Sequence, residues 1–384
     1  MTAFPDPGNV PLSLYVHIPW CVRKCPYCDF NSHELKQSLP EQDYVEALLR
    51  DLRQQREFAA GRKIQSVFIG GGTPSLFSGG AVMQLLQGIR ALCHLSDQVE
   101  ITLEANPGAV DAVHFADYLE AGINRLSIGV QSFNAGHLDS LGRIHSPQQA
   151  VQAMDVAKQA GFQNINLDLM FGLPQQTLQQ ALHDLQQAMA LSPQHLSWYQ
   201  LTIEPNTRFH HQPPPTPEDD LLWEMQQQGQ ALLEKEGYGQ YEISAYSLPG
   251  SRCRHNLNYW MFGDYLAIGA GAHGKVSTPQ GVMRYSRLRH PQAYMQAAEH
   301  KFELRPLSKD DLQLEFMMNA MRLNDGVPVP FFEQRTAMMQ EEIAEGLEQA
   351  QPLGLMQVEM DRYCSTPKGR TYLNNLLMLF DSSG

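Results

Sequence analysis

Six short runs with strand character are strung along roughly the first 240 residues, with segments of helical spacing between them. They are Leu12–Ile18, Ser66–Ile69, Glu100–Glu104, Arg125–Ile128, Asn164–Leu169 and His195–Leu201. Among the intervening segments, Leu178, Leu182, Leu185 and Met189 recur at the spacing that puts them on one helix face. Regular βα alternation predicts a parallel sheet with helices packed outside it. Six units suit an open or partial (β/α)6 barrel of the α/β class, with ligands held at the C-terminal ends of the strands.

Beyond this region the pattern changes. Gln212–Pro217 is proline-rich and reads as a loop. Glu218–Gly237 reads as a helix, and Tyr241–Gly274 is rich in glycine and aromatics with little periodicity. From Ser308 onward, glycine-poor runs at Asp311–Arg322, Gln340–Gln349 and Lys368–Phe380 predict a small, mostly helical C-terminal domain. The expected divisions are therefore 1–240 for the barrel, 241–307 for an extension of it, and 308–384 for the small domain.

Charge narrows the partners. With 28 Lys and Arg against 41 Asp and Glu, the net charge is −13, which argues against a nucleic-acid surface or a polybasic membrane contact. No run of about eighteen apolar residues appears, so no integral membrane segment is expected. Met1–Pro11 has neither the basic nor the apolar part of a signal peptide, which makes the cytoplasm the expected compartment.

Of the six cysteines, Cys93, Cys253 and Cys364 are scattered, whereas Cys21, Cys25 and Cys28 form a C-x3-C-x2-C run just after the first strand. In a reducing compartment that grouping points to metal rather than to disulfides. Three thiolates in one loop can hold three irons of a 4Fe–4S cluster and leave the fourth without a protein ligand. That open iron suits a bidentate amino acid such as the methionine part of S-adenosylmethionine (SAM). The competing reading is a zinc site, which would need His17 or His33 as a fourth ligand.

The residues around the cysteines resemble the radical SAM superfamily, and within it the oxygen-independent coproporphyrinogen III oxidases and their HemW-type haem-chaperone relatives. The resemblance runs through Leu12-Ser-Leu-Tyr-Val-His-Ile-Pro-Trp-Cys21, Ile69-Gly-Gly-Gly-Thr-Pro-Ser75, Leu103-Glu-Ala-Asn-Pro-Gly108 and Ser127-Ile-Gly-Val-Gln-Ser-Phe133. It continues in Leu141-Gly-Arg-Ile-His145, Asn166-Leu-Asp-Leu-Met-Phe-Gly-Leu-Pro174 and Gly263-Asp-Tyr-Leu-Ala-Ile-Gly-Ala-Gly-Ala-His-Gly274. It implies that Gly72 and Thr73 hold the amino group of SAM, and that Tyr15, Tyr27, Glu104, Gln131, Arg143 and Asp168 are further SAM contacts. Read as bare residues, the two tyrosines also suit a core, Glu104 a surface and Arg143 an ordinary ion pair. Gly269-Ala-Gly-Ala-His-Gly274 spells G-x-G-x-x-G, but no helical pattern follows it, so it is not read as a dinucleotide site.

Two departures separate the chain from the oxidases. Their pattern resembles C-x3-C-x2-C-x-C, where this chain has Phe30 at the last position, and their N-terminal extension is missing. Both features resemble the HemW-type members, which also carry H-N-x-x-Y-W, here His255-Asn-Leu-Asn-Tyr-Trp260. That resemblance implies haem as a further ligand, with His255 as its axial ligand and Cys253 as a rival. Taken alone, His255 equally suits a loop cap or a core hydrogen bond. The implied partners are haem, an unidentified haem-acceptor protein, and a flavodoxin or ferredoxin as electron donor. No residue is assigned a catalytic role, and porphyrinogen oxidation is the alternative function.

Overall fold

The computed structural model describes residues 6–108, 113–299, 303–359 and 361–381, so Met1–Pro5 and the last three residues of the expected small domain lie outside it. Six strands follow the sequence expectation: β1 (Leu12–Ile18), β2 (Ile64–Gly71), β3 (Leu95–Ala105), β4 (Arg125–Gln131), β5 (Ile165–Phe171) and β6 (His195–Gln200). Each pairs in parallel with the next, as βα alternation requires. Helices such as Glu41–Gln55, Gly79–Leu92, Pro147–Ala160 and Leu178–Ala190 form the crossovers. The last two begin with capping boxes, Ser146 with Gln149 and Thr177 with Gln180, which satisfy helix N–H groups that would otherwise lack partners.

The sheet is larger than the periodicity suggested. β7 (Gly239–Glu242), β8 (Ala245–Ser247), β9 (Asp264–Ile268), β10 (His273–Thr278), β11 (Gly281–Ser286) and β12 (Arg305–Pro306) extend it to the order β12-β11-β10-β9-β1-β2-β3-β4-β5-β6-β8-β7. β9 adds a further parallel strand beside β1, in register from Leu12 opposite Asp264 to Val16 opposite Ile268. The glycine-rich stretch read as nearly patternless thus supplies β8 near one edge and β9 on the other side of β1.

Period-two alternation divides each barrel strand between two environments. Leu12, Leu14 and Val16 of β1, Leu126 and Ile128 of β4, and Leu167 and Leu169 of β5 are buried in the large core. The alternate positions are polar and bond one another across the strands. Ser13 meets Ser66 at 2.8 Å, Ser127 donates to Asp168 at 3.1 Å, and Asn166 meets His195 at 2.6 Å. The barrel interior is thus a hydrogen-bonded polar layer, and its upper part opens into the site.

The C-terminal region is mostly helical, as expected, and carries a small sheet as well. Helices Lys309–Ala320, Pro330–Thr336 and Ala344–Ala350 pack with a three-stranded sheet of Val327–Pro328, Arg362–Ser365 and Met356–Glu359. The expected helix near Lys368–Phe380 is two short ones, Pro367–Thr371 and Leu373–Met378. A second core, including Phe316, Met317, Phe332 and Tyr363, also takes in Tyr241, Phe262 and Val282 and so joins this region to the sheet extension. Among the described residues, no helix is long and apolar enough to cross a membrane.

Candidate functional site

The cysteine loop leaves β1 and is pinned at its neck by a two-residue parallel pair, Trp20 opposite His33 and Cys21 opposite Glu34. Lys24 holds the loop closed from within, its Nζ donating to the carbonyls of Phe30 (3.2 Å) and Ser32 (3.4 Å). Cys21, Cys25 and Cys28 are half-buried free thiols on the wall of one cavity of about 480 Å3, within the range typical of small-molecule sites. Burial pushes the Cys21 thiol up to about 11, the neighbouring thiols adding to the effect, and raises Cys28 as well. Thiols so placed lose their protons readily only to a bound metal centre.

Around the same cavity stand Tyr27, Gly72, Thr73, Glu104, Gln131, Arg143 and Asp168. Gly72, Thr73, Glu104, Gln131 and Asp168 lie toward the C-terminal ends of β2 to β5, as the barrel reading requires, while Tyr27 sits on the cysteine loop and Arg143 follows the helix Ala135–Ser140. Arg143 is the connector: its guanidinium donates to the Asn106 side chain at 2.7 Å and to the Gly129 carbonyl at 2.8 Å, and reaches Cys25 Sγ at 3.7 Å. Asn106 in turn donates to Thr73 Oγ1 at 3.1 Å. Glu104 accepts the Gly71 N–H at 3.0 Å, and Gln131 accepts the Tyr199 hydroxyl at 3.0 Å. Sequence reasoning had not singled out Asn106, Ser127 or Tyr199. Asn106 and Ser127 both lie inside motifs of the resemblance, and Tyr199 is legible only through strand alternation from Ser197.

Two carboxyls share this wall. Burial, reinforced by Asp168, lifts Glu104 to about 8, and burial raises Asp168 despite hydrogen bonds from Asn166, Ser197 and Ser127. Glu104 therefore holds a proton near neutral pH that a cationic or hydroxyl-rich ligand can displace or share.

The glycine run has reasons of its own. A Cβ on Gly71, whose φ is +113°, would lie 2.5 Å from the His17 ring, and one on Gly72 would lie 2.5 Å from the Trp20 carbonyl oxygen. Close approach of β1 and of the Trp20 backbone to the end of β2 thus requires both glycines, of which Gly72 is also implied by the resemblance as a ligand contact.

Tyr15 and His255 stand apart from the rest. Tyr15 points its hydroxyl at His17 Nδ1 (2.9 Å) and lines an adjoining cavity. His255 is 1% exposed on the short helix Arg254–Trp260, under the cavities rather than on their walls. Its Nδ1 bonds Ser66 at 3.0 Å and its Nε2 bonds Tyr259 at 2.9 Å, while its backbone N–H meets Glu100. Both ring nitrogens of His255 are thus engaged within the protein, so an axial bond to haem iron would have to displace Ser66 or Tyr259. Cys253 is likewise fully buried, with Sγ against Glu100 at 3.6 Å.

Burial holds His255 neutral, down to about 3, and Arg125 adds to the effect. The sign is that of a depressed base: its contribution to stability is complete above the unfolded value near 6.5 and is lost as pH falls toward the folded value. At pH 5 the loss is about 2 kcal/mol. Urea midpoints between pH 7.5 and 5 should therefore fall more steeply for the native chain than for His255→Gln, and parallel curves would show that the ring is not buried neutral.

A profile of the radical SAM superfamily matches residues 15–188, and one of the HemN C-terminal domain matches residues 307–372. Heme chaperone HemW of Escherichia coli (strain K12) is 52% identical over 96% of this chain and 98% of its own length. Its namesake in Haemophilus influenzae is 50% identical over 97% and 99%. Among solved structures, coproporphyrinogen III oxidase (HemN) from E. coli shares the fold at a TM-score of 0.82, with 24% identity over 98% of this chain and 91% of that one. With near-complete coverage at half identity, the chain belongs to the HemW family of the radical SAM superfamily.

Proposed function

We propose that this protein is a cytoplasmic haem chaperone on a radical SAM scaffold, binding haem and passing it to an acceptor protein. Cys21, Cys25 and Cys28 would hold a 4Fe–4S cluster; Gly72, Thr73, Glu104, Gln131, Arg143 and Asp168 would hold SAM. A cluster there supplies one electron and an open iron to the bound sulfonium. Arg143 balances thiolate charge beside Cys25, Glu104 and Asp168 accept hydrogen bonds from the ligand's ammonium or ribose, and Tyr27 covers the loop. A flavodoxin or ferredoxin is the proposed electron donor.

The observation that carries the chaperone reading is Phe30. It is 58% exposed at the position where the porphyrinogen oxidases resemble a fourth cysteine, in a chain half identical to relatives named haem chaperones. His255 is proposed as a positioning residue that ties Ser66 to Tyr259.

The test is an anaerobic haem titration of cluster-reconstituted protein, followed by transfer to an apo-acceptor. Saturable one-to-one binding and transfer that weakens without the cluster are expected. Unsaturable binding, together with sustained conversion of coproporphyrinogen III and consumption of SAM, would replace the chaperone with the oxidase.

A further inference from the structure

A second cavity, of about 490 Å3, adjoins the first and shares Asp29, Phe30, Gly71 and Glu104 with it. Its own walls carry Tyr15, His17, Tyr259, Tyr265, His273 and Arg289. Aromatic faces with an imidazole and a guanidinium are the chemistry that a planar, iron-bearing dianion requires.

The imidazoles are not equivalent. His17 has both ring nitrogens engaged, Nδ1 with the Tyr15 hydroxyl and Nε2 with the Asn31 carbonyl, each at 2.9 Å. The Tyr259 hydroxyl is held by His255, and that of Tyr265 by Arg284. His273, exposed at the start of β10, has no hydrogen bond to its ring among the described residues. Burial, together with Arg284 and Arg289, keeps its pKa below the usual value, so the ring is neutral near pH 7 and has a lone pair to give. Arg289 is exposed, and among the described residues its guanidinium has no carboxylate partner.

Resting on the haem-chaperone reading, we propose that the second cavity is the haem site, with His273 as the axial ligand and Arg289 pairing with a propionate. The step is coordination alone: an imidazole lone pair fills one axial position, and no electron or proton is transferred.

The same geometry ties haem to the cysteine loop. Three residues past Cys28, Asn31 Nδ2 donates to the Ala270 carbonyl at 2.9 Å and to the Arg289 carbonyl at 2.8 Å. A Cβ on Gly271, whose φ is +80°, would lie 2.3 Å from that amide. The loop that would wrap a cluster therefore clamps the turn before His273 and the backbone of Arg289, and haem affinity follows the order of that loop.

The experiment titrates haem into the cluster-reconstituted full chain and into its His273→Ala, His273→Met, Arg289→Gln and His255→Ala variants, reading the Soret band and magnetic circular dichroism. His273→Ala should weaken binding by about tenfold or more. His273→Met should replace the imidazole signature with a thioether one, a change that adventitious surface haem cannot give. Arg289→Gln should weaken binding by several-fold, and His255→Ala should leave the axial signature intact. An unchanged spectrum and affinity in both His273 variants, or loss of the imidazole signature in His255→Ala, overturns the proposal and leaves the chaperone reading standing. Absence of stoichiometric haem binding in the native chain overturns both.

Discussion

Replacing Cys25 by alanine is expected to leave a protein that folds but reconstitutes almost no cluster, its iron falling from about four per chain to near zero and its broad visible absorption disappearing. Three thiols line the wall, and each would hold one iron of the cubane, so there is no spare ligand to take over. Cys25 is also the thiol that Arg143 reaches, at 3.7 Å. Its loss leaves the guanidinium without its sulfur partner at the centre of the Asn106–Thr73 network. SAM affinity should therefore drop together with iron, by roughly tenfold. Cys364→Ala, which removes a buried thiol of the C-terminal region, should leave both readouts unchanged. A colourless native protein holding one tightly bound zinc per chain would refute the cluster and favour the zinc reading instead.

Much of this was legible in the sequence because two periodicities coincide. β1 begins and ends where its expected run does, β4 runs three residues further at its C-terminal end, and β5 starts one residue later and ends two residues later than its run. The site residues cluster because βα order alone sends strand C-termini to one rim, so Glu104, Gln131 and Asp168 meet although dozens of residues separate them. β9 escaped notice since its five residues lie between Gly263 and Gly269, where flanking glycines read as turn rather than strand. The C-terminal sheet was hidden for a similar reason: strands of two and four residues show no alternation long enough to count. His255 shows a different limit. The motif singles the residue out without its environment, and only the structure shows both ring nitrogens engaged, with Ser66 and with Tyr259. His273 lies within a motif of the resemblance, yet only the structure distinguishes its ring, unbonded among the described residues, from the engaged ring of His17.

Asp264→Asn should be among the most destabilising single substitutions in the chain, costing about 3–5 kcal/mol. The carboxylate is fully buried at the start of β9, with Arg62 at 2.8 Å and Lys275 Nζ at 3.0 Å. It also accepts the Ser277 N–H at 2.8 Å. Burial pushes its pKa up, but Lys275 and Arg62 outweigh that and leave it below the ordinary aspartate value. Neutralising it strands two buried cations, a larger penalty than the pair's net contribution. The sign for pH follows: the carboxylate's contribution is present above about 3.9 and is lost as pH falls through the lower folded value, so acid alone should reproduce the lesion only well below pH 4. Urea unfolding of Asp264→Asn, Lys275→Met and the double variant checks this. A loss below about 1 kcal/mol for Asp264→Asn would mean that the cations reach water, whereas partial recovery in the double variant is expected because it leaves one fewer buried charge without a partner. The damage should not stay local. β9 pairs with β1, which carries Tyr15 and His17, and leads through the Gly269–Gly271 turn to His273. Amide exchange in Asp264→Asn should therefore quicken at Leu266–His273 ahead of β4 and β5, so haem affinity falls in a chain that still takes up iron.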